Sequence, residues 1–123
     1  MAELGKKSTE ILSKVHSKLK SIINEAIKEF DFSVIAGYRG CSEQDYLFSI
    51  GKSRKRFPYS NHNSEPARAV DIAPYPIDWK NEKRFVALSK IMKRIAKEKK
   101  INIVWGGDWG WDFPHYQLDD NEK

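Results

Sequence analysis

The sequence predicts a single domain that mixes helices with short strands. Two stretches, 8–30 and 81–99, carry apolar residues at steps of three and four, the pattern of a helix with one buried face. Three short runs, at 32–38, 68–72 and 101–105, are interpreted as strands. With 123 residues and 40% hydrophobic content, the chain suits one modest core, and we expect no second domain.

The first helix is predicted over 8–30, where Ile11, Val15 and Leu19 begin the apolar stripe and lysines fill the other face. His16 lies on this predicted helix. A lone histidine of this kind is more often structural than functional, so we leave it out of the candidate site.

The first strand ends in Gly37-Tyr38-Arg39-Gly40, where glycine lets the backbone turn sharply. After Cys41, the sequence Ser42-Glu43-Gln44-Asp45 matches a capping box and predicts a short helix that stops at Gly51. Arg39 is then held between a strand end and a helix N-terminus, where functional residues often lie. The alternative is that Arg39 only pairs with a surface acid.

A basic run, Lys52–Arg56, leads into Phe57-Pro58-Tyr59 and then to His62. One interpretation is a solvated loop. The other is a rim that attracts an anionic substrate towards a cleft at His62.

The later elements are a strand over 68–72 that delivers Asp71, a helix over 81–99 and a strand over 101–105. Lysines near the end of that helix complement its dipole. Only the last residues, 119–123, are expected to form a frayed tail.

Four side chains match the needs of a catalytic zinc site. Such a site has three N or O ligands, one position open to water, and a nearby carboxylate that is not a ligand. His62 and Asp71 are close in sequence, and Asp112 precedes His115 by three residues. We therefore predict His62, Asp71 and His115 as ligands and Asp112 as the general base.

The pairing of Asp112 with His115 requires a turn. Pro114 excludes a regular helix, and residues three apart in a straight strand face opposite sides. A turn at Phe113–Pro114 would bring the two side chains together. Asp108 is the alternative base, because Gly107 makes its loop equally adaptable.

The composition favours anionic binding partners but does not distinguish among them. The formal net charge of +5 and the pI of about 9.3 favour nucleic acid, lipid headgroups or cell-wall polymers. The single cysteine, Cys41, excludes an intrachain disulfide and favours a reducing compartment. The first residues contain no apolar signal core, and we expect neither a signal peptide nor a membrane span.

Several motifs occur together over about Phe32 to Leu118. They are Gly37-Tyr38-Arg39 with Glu43-Gln44, Ser60-x-His62 before Ala69-Val70-Asp71, Trp105-Gly106-Gly107-Asp108-Trp109, and Asp112-x-Pro114-His115-Tyr116. In this order they resemble the D-alanyl-D-alanine carboxypeptidase and L-alanyl-D-glutamate endopeptidase family of zinc peptidases, and within it the phage endolysin branch. The interval from His62 to Asp71 is slightly longer than in the family's common form and lacks its usual glycine.

The resemblance implies an α+β fold of the hedgehog/DD-peptidase type, with a small antiparallel sheet flanked by helices. It implies Zn²⁺ held by His62, Asp71 and His115, with Asp112 as catalytic acid and base.

The resemblance also implies roles on the substrate side of the site. Arg39 would stabilise the carbonyl oxygen as it gains negative charge. Ser60 would be a supporting residue near the metal or substrate. Gln44 would contact the site residues without touching the metal or the substrate itself.

The implied function is that of a zinc-dependent peptidoglycan peptidase, an endolysin that cuts the stem peptide at the L-alanyl-D-glutamate bond. A D,D-carboxypeptidase acting on terminal D-alanines is the alternative within the same class. A basic nucleic-acid-binding module is the alternative of another class, but the chain lacks the aromatic or helix-turn-helix signature expected of one.

We expect residues 1–123 to form one catalytic domain without a separate wall-binding domain. The protein is expected to be a monomer that stays in the host cytoplasm until lysis, contacts neither membrane nor nucleic acid, and then meets peptidoglycan. Its basic surface would hold it on anionic wall polymers.

Overall fold

The computed structural model of the chain describes residues 2–55, 57 and 60–123. Arg56 of the predicted basic rim, and Pro58 and Tyr59 after it, lie outside the described residues. The elements in chain order are α1 (Lys6–Leu12), α2 (Ser17–Ala26), β1 (Phe32–Ala36), α3 (Cys41–Ser49), β2 (Ala69–Pro74), α4 (Glu82–Glu98), β3 (Ile103–Trp105) and β4 (His115–Leu118). Two short 3-10 turns cover Asn61–Asn63 and Gly106–Trp109.

The four strands form one antiparallel sheet in the order β1-β2-β4-β3. The apolar face of α4 packs against the sheet, and α2 packs against α4. Leu19, Ile22, Leu88 and Met92 from these two helices are almost completely buried in the common core. This is the predicted α+β architecture, which is confirmed. Among the described residues, no helix has the length and apolar character needed to cross a membrane.

The single helix predicted over 8–30 is wrong, because the chain breaks it into α1 and α2. At the break, the N–H of His16 donates to the carbonyl of Ala67 at 2.9 Å, and the N–H of Ala67 donates to the carbonyl of Lys14 at 2.9 Å. His16 then caps α2 by accepting from the N–H of Lys18 at 3.1 Å. The structural role predicted for His16 is confirmed, and the loop before β2 is anchored.

The capping box predicted at 42–45 is also wrong. Helix α3 begins at Cys41 with Gly40 as its N-cap, and no side chain caps it. The earlier start places Gln44 on the inner face of the helix, where it is fully buried.

Strand β4 was not predicted, although its residues alternate regularly. His115 and Gln117 lie on one face, and Tyr116 and Leu118 lie on the other face, in the core. Pro114 immediately before the strand obscured this pattern.

The end of the chain is not a frayed tail, contrary to the prediction for 119–123. The guanidinium of Arg68 donates to the carbonyls of Asp119 and Glu122, at 2.9 and 2.6 Å. The Glu122 carboxylate pairs with Lys18 and accepts the N–H of Asn102 at 2.7 Å. We call Lys18, Arg68, Asn102 and Glu122 the C-terminal clasp.

Candidate metal centre and substrate cleft

The register of β2 with β4 places two of the predicted ligands side by side. Asp71 and His115 are direct partners across the antiparallel pair, so their side chains leave the same face of the sheet. Nδ1 of His115 lies 3.1 Å from Oδ1 of Asp71. The neighbours Val70 and Tyr116 point to the opposite face, into the core.

His62 reaches the same point from the turn at Asn61–Asn63. The hydroxyl of Ser60 caps this turn by accepting the N–H of His62 at 3.2 Å. The imidazole is buried, and its Nδ1–H donates to the carbonyl of Gly37 at 2.7 Å. A side chain at Gly37 would approach Val15 to 2.8 Å, so the close passage of β1 past α1 requires glycine here.

The hydrogen bonds of the two imidazoles direct their remaining nitrogens towards Asp71. A carbonyl oxygen can only accept, so Nδ1 of His62 carries the proton and Nε2 carries the free lone pair. In His115, Nε2 donates to Oε1 of Gln117 at 2.7 Å, which leaves Nδ1 with the free lone pair. Nε2 of His62 lies 3.3 Å from Nδ1 of His115 and 3.4 Å from Oδ1 of Asp71.

Three ligand atoms that meet in this way can hold a cation between them. A tetrahedral zinc with ligand bonds of about 2.0–2.2 Å places its ligand atoms about 3.3–3.6 Å apart. The three separations observed are 3.1, 3.3 and 3.4 Å. His62, Asp71 and His115, which we call the metal cluster, therefore form a group that could hold a metal ion.

The metal cluster is also coupled electrostatically. Burial alone would raise the pKa of Asp71, but the neighbouring imidazoles of His62 and His115 hold it well below its usual range. Burial would lower the pKa of His115, but the carboxylate of Asp71 raises it above its ordinary value. Asp71 is thus held as a carboxylate.

Asp112 lies at the edge of the metal cluster, as the predicted turn requires. The N–H of His115 donates to the carbonyl of Asp112 at 3.2 Å, and their side chains approach to 3.9 Å. Burial raises the pKa of the Asp112 carboxyl above its ordinary value. Asp108, the alternative base, is 56% exposed and pairs with Lys93 at 2.8 Å.

Gly106 makes room for this turn. A Cβ at Gly106 would come within 2.2 Å of the Asp112 carbonyl oxygen and 3.0 Å of the His115 Cβ. The N–H of Asp112 also donates to the carbonyl of Gly106, at 3.2 Å. Gly106 thus allows Asp112 to pack directly against the strand that carries His115.

The guanidinium of Arg39 lies next to Oδ2 of Asp71, and Gln44 holds the guanidinium in this position. The guanidinium is 3.6 Å from Oδ2 of Asp71 and donates to Oε1 of Gln44 at 3.1 Å. The Arg39 carbonyl accepts from Asn63 at 2.9 Å, and its N–H donates to the carbonyl of His62 at 2.7 Å. Arg39 and His62 are therefore held in one hydrogen-bonded unit.

A cleft of about 340 Å³ opens over the metal cluster. Arg39, Ser60 and Asp112 line its inner part, and Trp109 and Trp111 line its outer part. This volume lies in the range of small-ligand and peptide sites.

Sequence reasoning missed four residues of this region, which are Asn63, Trp109, Trp111 and Gln117. Gln117 had a readable signal, because it lies two residues from His115 in a short alternating run and must share its face. Trp109 was interpreted only as part of a motif, and Trp111 lies outside the motifs. The role of Asn63 depends on a contact with Arg39, which is distant in sequence.

Comparisons with known proteins agree with this geometry. The sequence profile of the family described as phage L-alanyl-D-glutamate peptidase matches residues 1–122. The chain is 29% identical over 112 residues to the L-alanyl-D-glutamate peptidase of Escherichia phage T5, covering 87% of this chain and 81% of that protein. It is also similar to the crystal structure of the Serratia marcescens L-Ala D-Glu endopeptidase ChiX, with a TM-score of 0.82, 29% identity, and coverage of 95% of this chain and 90% of that one.

Proposed function

This chain belongs to the phage L-alanyl-D-glutamate peptidase family, and we propose that its cleft hydrolyses the L-alanyl-D-glutamate bond of the peptidoglycan stem peptide in a metal-dependent reaction. The chain is a peptidase, as predicted. The observation that carries the metal requirement is the meeting of three acceptor atoms, from His62, Asp71 and His115, at separations of 3.1–3.4 Å.

Zn²⁺ is the ion that this donor set favours. Two of the three ligand atoms are imidazole nitrogens, which are borderline ligands and suit zinc better than Mg²⁺ or Ca²⁺, and a carboxylate oxygen is also accepted by catalytic zinc. A bound zinc ion would supply Lewis-acid chemistry, lowering the pKa of a water molecule and polarising the scissile carbonyl.

Asp112 would act as the base and then as the acid. Its carboxylate would accept the proton of the attacking water and later deliver it to the leaving amine of the glutamyl residue. Its partial burial and raised pKa suit a group that must both take up and release a proton.

Arg39 would stabilise the carbonyl oxygen of the substrate as it becomes negative. Its guanidinium lies beside Asp71 and is held from behind by Gln44, so little reorganisation is needed when charge develops. Ser60 would support the site by capping the turn that carries His62.

The protein would act as an endolysin on the cell wall, with the basic surface adding affinity for anionic wall polymers. The D,D-carboxypeptidase alternative is less well supported, because both relatives named above are described by the L-alanyl-D-glutamate bond.

Mass spectrometry of purified peptidoglycan fragments tests the proposal. The protein is incubated with the fragments alone, with a chelator, and with the chelator followed by excess zinc. We expect new products with a free amino group on D-glutamate, their loss with chelator, and their return with zinc.

Each other result would lead to a different conclusion about the reaction. Free D-alanine without a new D-glutamate amino group would replace the proposal with a D,D-carboxypeptidase. Products that persist in chelator would remove the metal from the mechanism. No product from any wall type, with metal bound, would overturn the peptidase assignment for this substrate.

A further inference from the structure

The outer part of the cleft contains a cation that the proposed reaction does not use. The guanidinium of Arg54 lies over the ring of Trp111, with Cζ 4.2 Å from the ring centroid. Arg54 forms no salt bridge with any carboxylate of the described residues. A guanidinium stacked on an aromatic ring still presents its N–H edge to a ligand.

A continuous set of ring contacts connects this cation with the metal cluster. The rings of Trp111 and Trp109 are 6.0 Å apart, and those of Trp109 and His115 are 5.3 Å apart. All four residues line the same cleft. Arg54 therefore borders the space that a substrate at the metal cluster would occupy.

The segment that carries Arg54 is fixed from the interior. The buried amide of Gln44 donates to the hydroxyl of Ser53 at 2.7 Å and to the carbonyl of Lys55. The same side chain accepts the hydrogen bond of Arg39 through its oxygen. One buried residue therefore positions two cations of the cleft, Arg39 beside the metal cluster and Arg54 at its outer edge.

The substrate offers an anion that matches the outer cation. A glutamyl residue has two carboxyl groups besides its amine, and the peptide continues through only one of them. The other is a free carboxylate close to the scissile bond. Planar, two-pronged donation to a carboxylate is the interaction that distinguishes arginine from lysine.

We propose that Arg54, supported by Trp111, binds the free carboxylate of the D-glutamyl residue and makes the enzyme selective for substrates in which this group is not amidated. The inference rests on the proposed function. It assigns specificity to Arg54, one residue of the basic run that the sequence left open between a solvated loop and a substrate rim.

Two synthetic stem peptides test it, identical except that the second glutamyl carboxyl is free in one and a primary amide in the other. We expect the wild-type protein to cleave the free-carboxylate peptide with a kcat/KM about tenfold higher. Arg54→Gln should lose about that factor on the free-carboxylate peptide and change little on the amide. Arg54→Lys should recover only part of the preference, because lysine cannot donate in the same planar way.

Lys90→Gln is the matched control, since it removes one exposed positive charge from α4 and Lys90 does not line the cleft. It should leave kcat/KM on both peptides unchanged.

An equal loss of kcat/KM on both peptides in Arg54→Gln, or no loss on either, would overturn the inference while the proposed function stands. Slower digestion of intact walls with both soluble peptides unaffected would also overturn it, and would assign Arg54 to wall-polymer phosphates. Cleavage of neither peptide by the wild-type protein would overturn the proposed function together with the inference.

Discussion

The metal cluster and the C-terminal clasp lie at opposite ends of β4 and use polar groups in opposite ways. In the clasp, each polar group meets its complement, as when Glu122 pairs with Lys18 and accepts an N–H from Asn102. In the metal cluster, three ligand atoms point at one another, because the other ring nitrogens are bonded to Gly37 and Gln117.

This difference separates a structural polar cluster from a functional one. Burying acceptors that face each other costs stability unless a cation joins them. A cluster that satisfies itself, as the clasp does, needs no ligand. A cluster whose outer atoms are hydrogen-bonded, but whose inner atoms all face one another, indicates that it binds a cation. Substitutions in the two clusters test this difference.

The largest effect is expected from Asp71→Asn. An amide cannot replace the carboxylate as an anionic ligand, so we expect loss of bound zinc and a fall in kcat/KM of about a thousandfold or more. Added zinc should raise the thermal unfolding midpoint of the wild-type protein but not of the variant. Asp120→Asn, the same change at an exposed carboxylate outside the cleft, should behave as wild type. Tight zinc binding by Asp71→Asn would contradict the ligand assignment.

Asp112→Asn should remove proton transfer without removing the metal. We expect kcat to fall by about 10²–10⁴ while the zinc content per chain, measured by elemental analysis, stays at the wild-type value. Asp108→Asn is the paired control, since Asp108 is exposed and bound to Lys93. If Asp108→Asn were the inactive variant, the base would have to be reassigned.

Gln117→Ala tests the outer support of the metal cluster. Without the Gln117 oxygen, the Nε2–H of His115 loses its partner and the ring is less firmly oriented. Zinc affinity, measured by competition with a chelating dye, should weaken about 10- to 100-fold, with activity restored in excess zinc. Unchanged affinity would mean that packing alone orients His115.

The smallest effect is expected in the clasp. The hydrogen bond from Asn102 and the pairing with Lys18 lower the pKa of Glu122 below its ordinary value of 4.5. The ionised group therefore stabilises the fold above that pH, and this contribution is lost as the pH falls through the lowered value. Glu122→Gln should lower the unfolding midpoint by about 1–4 °C at neutral pH, converge with wild type in acid, and leave kcat/KM unchanged. A loss of activity would show that the clasp and the metal cluster are coupled.

The sequence predicted the parts of this molecule that depend on local pattern or on a recognisable motif. Helix α4 and the turn before His115 follow from periodicity and from proline. The break between α1 and α2 could not be predicted, because it forms when Lys14 and His16 pair with Ala67. The docking of 119–123 depends in the same way on Arg68 and Asn102, which no local pattern connects with the end of the chain.

The direct opposition of Asp71 and His115 has a consequence for handling the protein. Because a shift of one residue between β2 and β4 would send the two side chains to opposite faces, a mispaired sheet has no place for the ion. Zinc retained after gel filtration would therefore count the molecules whose strands have found their native partners. The amount of metal bound per chain would then measure the fraction of a refolded preparation with correctly paired strands, without any substrate.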